Sequence, residues 1–130
     1  MQTFTIDTVL NALLNQQERP LEDVLNSYFS PDYRQRTDGA GDDRQGFAHH
    51  ARKLRELISF ASIDVLDELR DGRRYATRHR VQCTKRDGEE VVMEVYMFAE
   101  TDDKGRFTRI EETTLMLEGK AHDRDLGSAR

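Results

Sequence analysis

Apolar residues recur at helical spacing in three places along the first 60 residues of the chain. Positions three and four residues apart share one face of a helix, so the pattern predicts helices at residues 5–17, 20–29 and 44–59. Their apolar stripes comprise Ile6, Val9, Leu10, Leu13 and Leu14, then Leu21, Val24, Leu25, Tyr28 and Phe29, then Phe47, His50, Leu54, Leu57 and Ile58. One histidine, His50, therefore falls on the buried face of the third helix.

After residue 59 the spacing of apolar residues changes from 3.6 to 2, which indicates β-strands. Turn signals at Asp71-Gly72, at Asp87-Gly88 and at residues 102–105 divide this half of the chain into four strands. Three helices followed by a four-stranded meander predict an α+β fold, in which a curved antiparallel sheet packs on the helices. We expect one domain over residues 1–117 and a polar, frayed tail over residues 118–130.

The predicted turns also determine which side chains share a face of the sheet, because paired residues on neighbouring strands point the same way. A two-residue turn at Asp87-Gly88 pairs His79 with Tyr96, and a three-residue loop at the next turn pairs Tyr96 with Glu112. A slip of one residue at that second turn would replace Glu112 by Glu111. The resulting face carries Tyr75, Thr77, His79, Val81, Glu94, Tyr96, Phe98, Ile110, Glu112 and Thr114.

This face is mostly apolar with a few ionisable groups, which is typical of the lining of a ligand pocket. Strands lie about 4.8 Å apart, so the backbones of His79 and Glu112 would be roughly 10 Å apart, a gap that a ligand or a water can bridge. A histidine and a buried carboxyl group suit general acid–base chemistry on a carbonyl compound. The alternative interpretation is that both are satisfied polar groups in a narrow cavity.

The composition of the chain argues against several classes of protein and of binding partner. The chain has 130 residues, a net charge of −5 and a single cysteine, Cys83. This charge argues against nucleic-acid binding, and no apolar run is long enough to span a membrane. The N-terminus does not resemble a signal peptide and the chain has no second cysteine, so we expect a cytoplasmic protein. We expect no cofactor. His50, His79 and Glu112 offer metal-ligand atoms, but no spacing supports a metal site.

Four segments of the chain resemble, in order, motifs of the SnoaL-like group of the nuclear-transport-factor-2-like superfamily. These segments are YFSPDY at residues 28–33, RQGF at 44–47, DGRRYATR at 71–78 and KGRFTRIEE at 104–112. The resemblance extends over residues 5–117. It implies a cone-shaped fold of the cystatin-like-roll type, an internal cavity and a homodimer formed through the sheet.

The resemblance also implies a role for Glu112, which matches an acidic residue that faces the cavity and often acts as the acid or base. In the epoxide-hydrolase branch an arginine and an aspartate stand where this chain has His79 and Val81. The His-Asp pair usual after the second helix is replaced here by the segment QRTD at residues 35–38.

Two hypotheses result. In the first, the pocket binds a small, largely apolar carbonyl compound and isomerises, cyclises or dehydrates it, with Glu112 as base and His79 and Tyr96 as proton donors or orienting groups. In the second, the domain is a non-catalytic dimer that binds a ligand or a protein. The other predicted lining residues are Tyr28, Tyr33, His50, Thr77, Val81, Glu94, Phe98, Ile110 and Thr114. The predicted dimer face is the outer face of the sheet, with Met93, Val95, Met97 and Leu115.

Overall fold

The computed structural model describes residues 3–128, which form three α-helices, six strands and a C-terminal 3-10 helix. The elements are, in order, α1 (Ile6–Leu14), α2 (Leu21–Tyr28), β1 (Phe29–Thr37), β2 (Ala40–Asp43), α3 (Arg44–Leu57), β3 (Ile58–Asp71), β4 (Arg74–Lys85), β5 (Glu90–Thr101), β6 (Phe107–Glu118) and the 3-10 helix Ala121–Ser128. The three predicted helices are confirmed. Asp43 caps α3 by accepting a hydrogen bond from the N–H of Gly46 at 2.9 Å.

All six strands belong to one curved sheet with the order β2-β1-β6-β5-β4-β3. Strands β3 to β6 form the predicted meander, so the α+β class is confirmed. The sheet is mixed rather than antiparallel, because β1 adds to β6 in the parallel direction and β2 pairs with β1. No helix within residues 3–128 has both the length and the apolar character that a membrane crossing requires.

The β4–β5 hairpin differs from the prediction by one residue. Its loop contains three residues, 86–88, and ends with Gly88 in the left-handed conformation at φ 89°. Arg86 does not pair across the hairpin, because its N–H donates to the carbonyl oxygen of Leu57 at 3.0 Å. A contact with the end of α3 therefore sets the length of this turn.

The slip turns every side chain of β5 to the face opposite the predicted one. Inward-facing residues are Met93, Val95 and Met97, and outward-facing residues are Glu94, Tyr96 and Phe98. The predicted dimer face was therefore wrong in three of its four residues, which are buried in the core. Its fourth residue, Leu115, is 50% exposed.

The β5–β6 hairpin closes with the predicted three-residue loop, and Gly105 adopts φ 80°. Just beyond the loop, β6 accommodates one additional residue at Thr108, which is a β-bulge. The bulge shifts the pairing by one residue and places Glu112 opposite Met97. Glu112 therefore returns to the inner face in spite of the slip in the preceding hairpin.

The core fills the space between the inner face of the sheet and the helices. Phe29 lies at the centre of an aromatic cluster, with ring centroids 4.8 Å from Tyr33, 4.8 Å from Phe47 and 5.9 Å from Phe107. These edge and tilted contacts add to the apolar area that each ring buries. The cluster joins β1, α3 and β6 at one end of the sheet.

Residues 121–128, which belong to the predicted polar tail, form a 3-10 helix in the structure. Leu126 is buried, and the carboxylate of Asp123 accepts hydrogen bonds from Nζ of Lys85 at 3.1 Å and from the N–H of Lys120 at 3.0 Å. The buried leucine and the paired carboxylate connect this segment to the rest of the domain. Residues 129–130 of the predicted tail lie outside the described residues.

Candidate functional site

A cavity of about 120 Å³ lies between the inner face of the sheet and the helices. This is more space than a single ordered water needs. Most of the lining is apolar and includes Leu10, Leu13, Leu54, Met93, Val95, Ile110 and Leu126. The few polar groups that reach the cavity therefore determine its chemistry.

Glu112 presents a carboxyl group to this cavity. Burial raises the pKa of the carboxyl to about 7, a hydrogen bond from Thr37 lowers it, and the negative charge of Asp38 raises it. The Thr37 hydroxyl donates to Oε1 of Glu112 at 3.0 Å. Among the residues that the structure describes, no cation contributes to the pKa of this group. At neutral pH the carboxyl can therefore both accept and release a proton.

His79 faces the cavity from β4 and is 1% exposed. Burial lowers the pKa of the imidazole to about 4, so the ring is neutral at pH 7. Its Nδ1 lies 2.7 Å from the hydroxyl of the buried Thr77. Nε2 is therefore the ring nitrogen that a molecule in the cavity can approach.

Tyr33 and Gln35 bring a second polar pair to the cavity from β1. The Tyr33 hydroxyl donates to Oε1 of Gln35 at 3.0 Å. Burial raises the pKa of Tyr33 well above its ordinary value, and the charges of Glu112 and Asp42 add to the effect. The phenol therefore stays protonated and remains a hydrogen-bond donor. His50 lines the same cavity from α3.

His79 and Glu112 lie on strands separated by β5. His79 is opposite Val95, whereas Glu112 is opposite Met97, one inward-facing position further along. With a strand spacing of about 4.8 Å and a rise of about 3.4 Å per residue, their backbones are roughly 12 Å apart. Apolar side chains occupy the interval, so a ligand that contacts both groups must be apolar in its middle.

Comparison with known proteins adds one relative at the level of sequence. No family model matches the chain. The uncharacterized protein C11D3.04c of Schizosaccharomyces pombe is 35% identical over 106 residues, a match that covers 82% of this chain and 81% of the yeast protein. The chain belongs to one family with this yeast protein.

Solved structures show which fold this family has. A candidate isomerase from Rhodopseudomonas palustris has a TM-score of 0.70 at 11% identity, over 92% of this chain and 90% of that one. A candidate SnoaL-like polyketide cyclase from Shewanella denitrificans OS-217 has a TM-score of 0.67 at 9% identity, over 82% and 85%. An NTF2-like protein of unknown function from Burkholderia pseudomallei K96243 has a TM-score of 0.60 at 17% identity, over 81% and 86%. The fold is SnoaL-like and confirms the resemblance in the sequence.

Most of the predicted pocket residues face the cavity of this SnoaL-like domain. Those in the lining are Tyr33, His50, His79, Val81, Ile110, Glu112 and Thr114. The slip in the β4–β5 hairpin moves Glu94, Tyr96 and Phe98 to the outer face, so their predicted positions were wrong. Tyr28 was also misplaced: it packs edge-on against Phe4, with ring centroids 4.8 Å apart. Thr77 lies beside His79 and supports it from within the strand.

Two residues of this SnoaL-like site, Gln35 and Thr37, were missed in the sequence. Tyr33, Gln35 and Thr37 are buried at every second position of β1, which is a strand signal. Only one of the three residues is apolar or aromatic, so the alternation is weak. The parallel partner β6 is also far along the chain, and no local turn indicates such a pairing.

Proposed function

We propose that this SnoaL-like domain binds a small, largely apolar carbonyl compound in its cavity and moves a proton on it, with Glu112 as the acid–base group. The supporting observation is a carboxyl group in an apolar cavity, to which the described part of the chain contributes one hydroxyl donor and no cation. A carboxylate deprived of water and counterion is a stronger base than the same group in solvent. The pKa of about 7 suits proton transfer at neutral pH.

In this proposal Glu112 takes a proton from the carbon next to the carbonyl group. Negative charge then develops on the carbonyl oxygen, and a neutral donor stabilises it. Tyr33 and His79 are the candidates for this donor, since both line the cavity and both are uncharged at pH 7. The Tyr33 hydroxyl exchanges its hydrogen bond to Gln35 for one to the substrate, whereas His79 donates from Nε2. Tyr33 takes the role expected of Tyr96, which lies on the other face of the sheet. Return of the proton to another carbon completes an isomerisation. In a dehydration, the hydroxyl group on the next carbon takes this proton from Glu112 and leaves as water, which forms the carbon–carbon double bond and regenerates the carboxylate.

Proton exchange tests the proposal without knowledge of the natural substrate. Wild-type protein is incubated in deuterated water with a panel of small cyclic ketones and enones, and NMR follows the signals of the protons next to the carbonyl. We expect faster loss of these signals with wild type, and a decrease of at least about 100-fold in Glu112→Gln, as for removal of a general base.

The matched control is Glu111→Gln. Glu111 is on the same strand, is 46% exposed and pairs with Arg109 at 3.1 Å on the outer face. This variant should exchange protons at the wild-type rate. A compound that binds in the cavity without any Glu112-dependent exchange would refute the catalytic proposal.

A second candidate function is favoured by the outer face of the sheet. Four large apolar side chains are exposed there on β5 and β6: Tyr96 by 39%, Phe98 by 68%, Leu115 by 50% and Leu117 by 47%. An exposed apolar patch of this kind is typical of an interface. We propose that a second copy of the chain covers this patch. If the domain catalyses no proton transfer, it is a dimeric ligand-binding module. Sedimentation at micromolar concentration tests the dimer, and calorimetry with the same ketones separates binding from chemistry.

A further inference from the structure

Thr37 contacts the proposed acid–base group from a neighbouring strand. Because β1 runs parallel to β6, Thr37 lies directly beside Glu112 in the sheet. The threonine is 1% exposed, and its hydroxyl donates to Oε1 of Glu112 at 3.0 Å. A buried hydroxyl next to a carboxylate forms a charge-assisted hydrogen bond, which is stronger than one between neutral groups.

The backbone next to Thr37 is also fixed to β6. The N–H of Asp38 donates to the carbonyl oxygen of Glu112 at 3.0 Å. The Asp38 carboxylate accepts from the N–H of Thr114 at 2.7 Å and from its hydroxyl at 2.5 Å. These contacts hold the end of β1 against β6 at the position of Glu112, so Thr37 has little freedom to move away.

The two carboxyl oxygens of Glu112 have different surroundings. Oε1 accepts from Thr37, whereas none of the side chains that the structure describes donates to Oε2. Because Glu112 lines the cavity, Oε2 is the oxygen that a bound molecule can reach. We propose that Thr37 is a positioning residue, which fixes the Glu112 carboxyl by one oxygen and leaves the other for the ligand. This inference rests on the proposed function, because it assigns Thr37 a role in the same proton transfer.

Removal of the Thr37 hydroxyl should have two consequences. The carboxylate loses the one side-chain donor that the described residues provide. The protonated form is therefore favoured, and the pKa of Glu112 rises above about 7. The carboxyl also becomes free to rotate away from the ligand. The other ionisable groups near Glu112 or in the same cavity are Tyr33 on β1, Asp38 directly after β1, His79 on β4 and His50 on α3, and the variants leave all four in place.

The experiment compares Thr37→Val and Thr37→Ala, which lack the hydroxyl, with Thr37→Ser, which keeps it. Glutamate is labelled with ¹³C at the carboxyl carbon, the Glu112 signal is assigned with Glu112→Gln, and each protein is titrated by NMR. We expect the Glu112 pKa to rise by about one to two pKa units in the valine and alanine variants. This rise corresponds to the free energy of one hydrogen bond to a charged group. Serine should restore the wild-type pKa.

The pH profile of ketone exchange is the second readout. In both hydroxyl-free variants the profile should shift to higher pH by the same amount as the Glu112 pKa, whereas the outer-face control Thr113→Val leaves both unchanged. Alanine provides a smaller side chain if valine prevents folding. An unchanged Glu112 pKa in the hydroxyl-free variants would overturn the inference even if wild type exchanges protons. A raised pKa in a protein that never exchanges ketone protons would overturn the proposed function and leave the Thr37 contact supported.

Discussion

Replacing Glu112 by glutamine should change how the stability of the protein depends on pH. The Glu112 carboxyl has a pKa of about 7 in the folded protein, raised from its ordinary value of 4.5 chiefly by burial. The unfolded chain therefore loses this proton at lower pH than the folded protein does. The stability contributed by the protonated carboxyl is fully present below pH 4.5 and is lost as the pH rises through about 7. Glutamine stays neutral, so its contribution does not change.

The magnitude follows from the size of the pKa shift. A rise from 4.5 to about 7 at about 1.4 kcal/mol per pKa unit gives about 3 kcal/mol. As the pH rises from 4.5 to 8, the free energy of unfolding of Glu112→Gln should therefore increase by about 3 kcal/mol relative to that of wild type. Glutamine keeps the carbonyl oxygen to which Thr37 donates, so the substitution removes the charge and leaves this contact in place.

His79 sets the opposite trend in the same pH range. Burial lowers the pKa of its imidazole from 6.5 to about 4, so its contribution to stability is present above pH 6.5 and is lost as the pH falls through about 4. Between pH 4.5 and pH 6.5 the slopes from His79 and Glu112 have opposite signs and similar size. Wild type should therefore be nearly insensitive to pH in this interval, whereas Glu112→Gln should lose about 3 kcal/mol as the pH falls from 6.5 to 4.5.

Urea unfolding at a series of pH values measures these differences. The chain contains no tryptophan, so far-ultraviolet circular dichroism is the suitable signal. Equal urea dependence of the unfolding free energy in both proteins would show that the unfolded states are comparable. Glu111→Gln removes one carboxylate from the outer face of the same strand and controls for net charge. A difference between wild type and Glu112→Gln that is constant from pH 4.5 to pH 8 would refute the burial of this carboxyl.

Three further predictions concern other parts of the molecule. In wild type, the titration of His79 lowers the free energy of unfolding by up to about 3 kcal/mol as the pH falls from 6.5 to 4. His79→Gln should abolish this pH-dependent loss in the same urea titrations. Phe98→Asp should convert the proposed dimer to a monomer in sedimentation velocity, whereas Leu69→Asp, at a 74% exposed position of β3, should leave the mass unchanged. Asp123→Asn should cost about 2 kcal/mol, because it breaks a buried ion pair with Lys85, and should speed proteolysis of the C-terminal segment.

The helices were predictable because each has an uninterrupted apolar stripe and clear ends. In α3, for example, the burial of Phe47 and His50 follows directly from helical spacing. The meander was equally accessible, since three glycine-containing turns separate its strands. Local signals of this kind are sufficient for element type and order, and with the family resemblance they were sufficient for the fold.

An extended segment at residues 33–37 was predictable, but its place in the sheet and the contact between Thr37 and Glu112 were not. Both depend on a parallel pairing between segments about 75 residues apart, as in the hydrogen bond from Thr37 to Glu112. Parallel strands are not joined by a short turn, so no sequence signal next to either strand reveals the partner. The residues that complete the polar end of the cavity therefore became visible only in the folded chain.

The face of β5 could have been assigned correctly from its own sequence. The set at every second position, Val91, Met93, Val95, Met97 and Ala99, is apolar throughout, whereas the alternate set contains Glu94 and Glu100. Burial of the first set excludes a two-residue turn at Asp87-Gly88, because that turn would place both glutamates inside. An extended hydrophobic pattern is stronger evidence for register than a single turn motif, since burial acts on every residue of the strand.

In β6, by contrast, the alternation of apolar and polar residues does not show which face is buried. The side to which Glu112 points therefore depends on the bulge. Both alternate sets of β6 contain glutamate, Glu111 in one and Glu112 and Glu118 in the other, so burial alone does not decide between them. Two deviations of one residue each, in the β4–β5 turn and at Thr108, cancel and return Glu112 to the side of His79. The sequence analysis also placed these two groups on one face of the sheet, but it did so through a wrong pairing with β5. The bulge at Thr108 is the feature that brings the carboxyl group of Glu112 to the cavity.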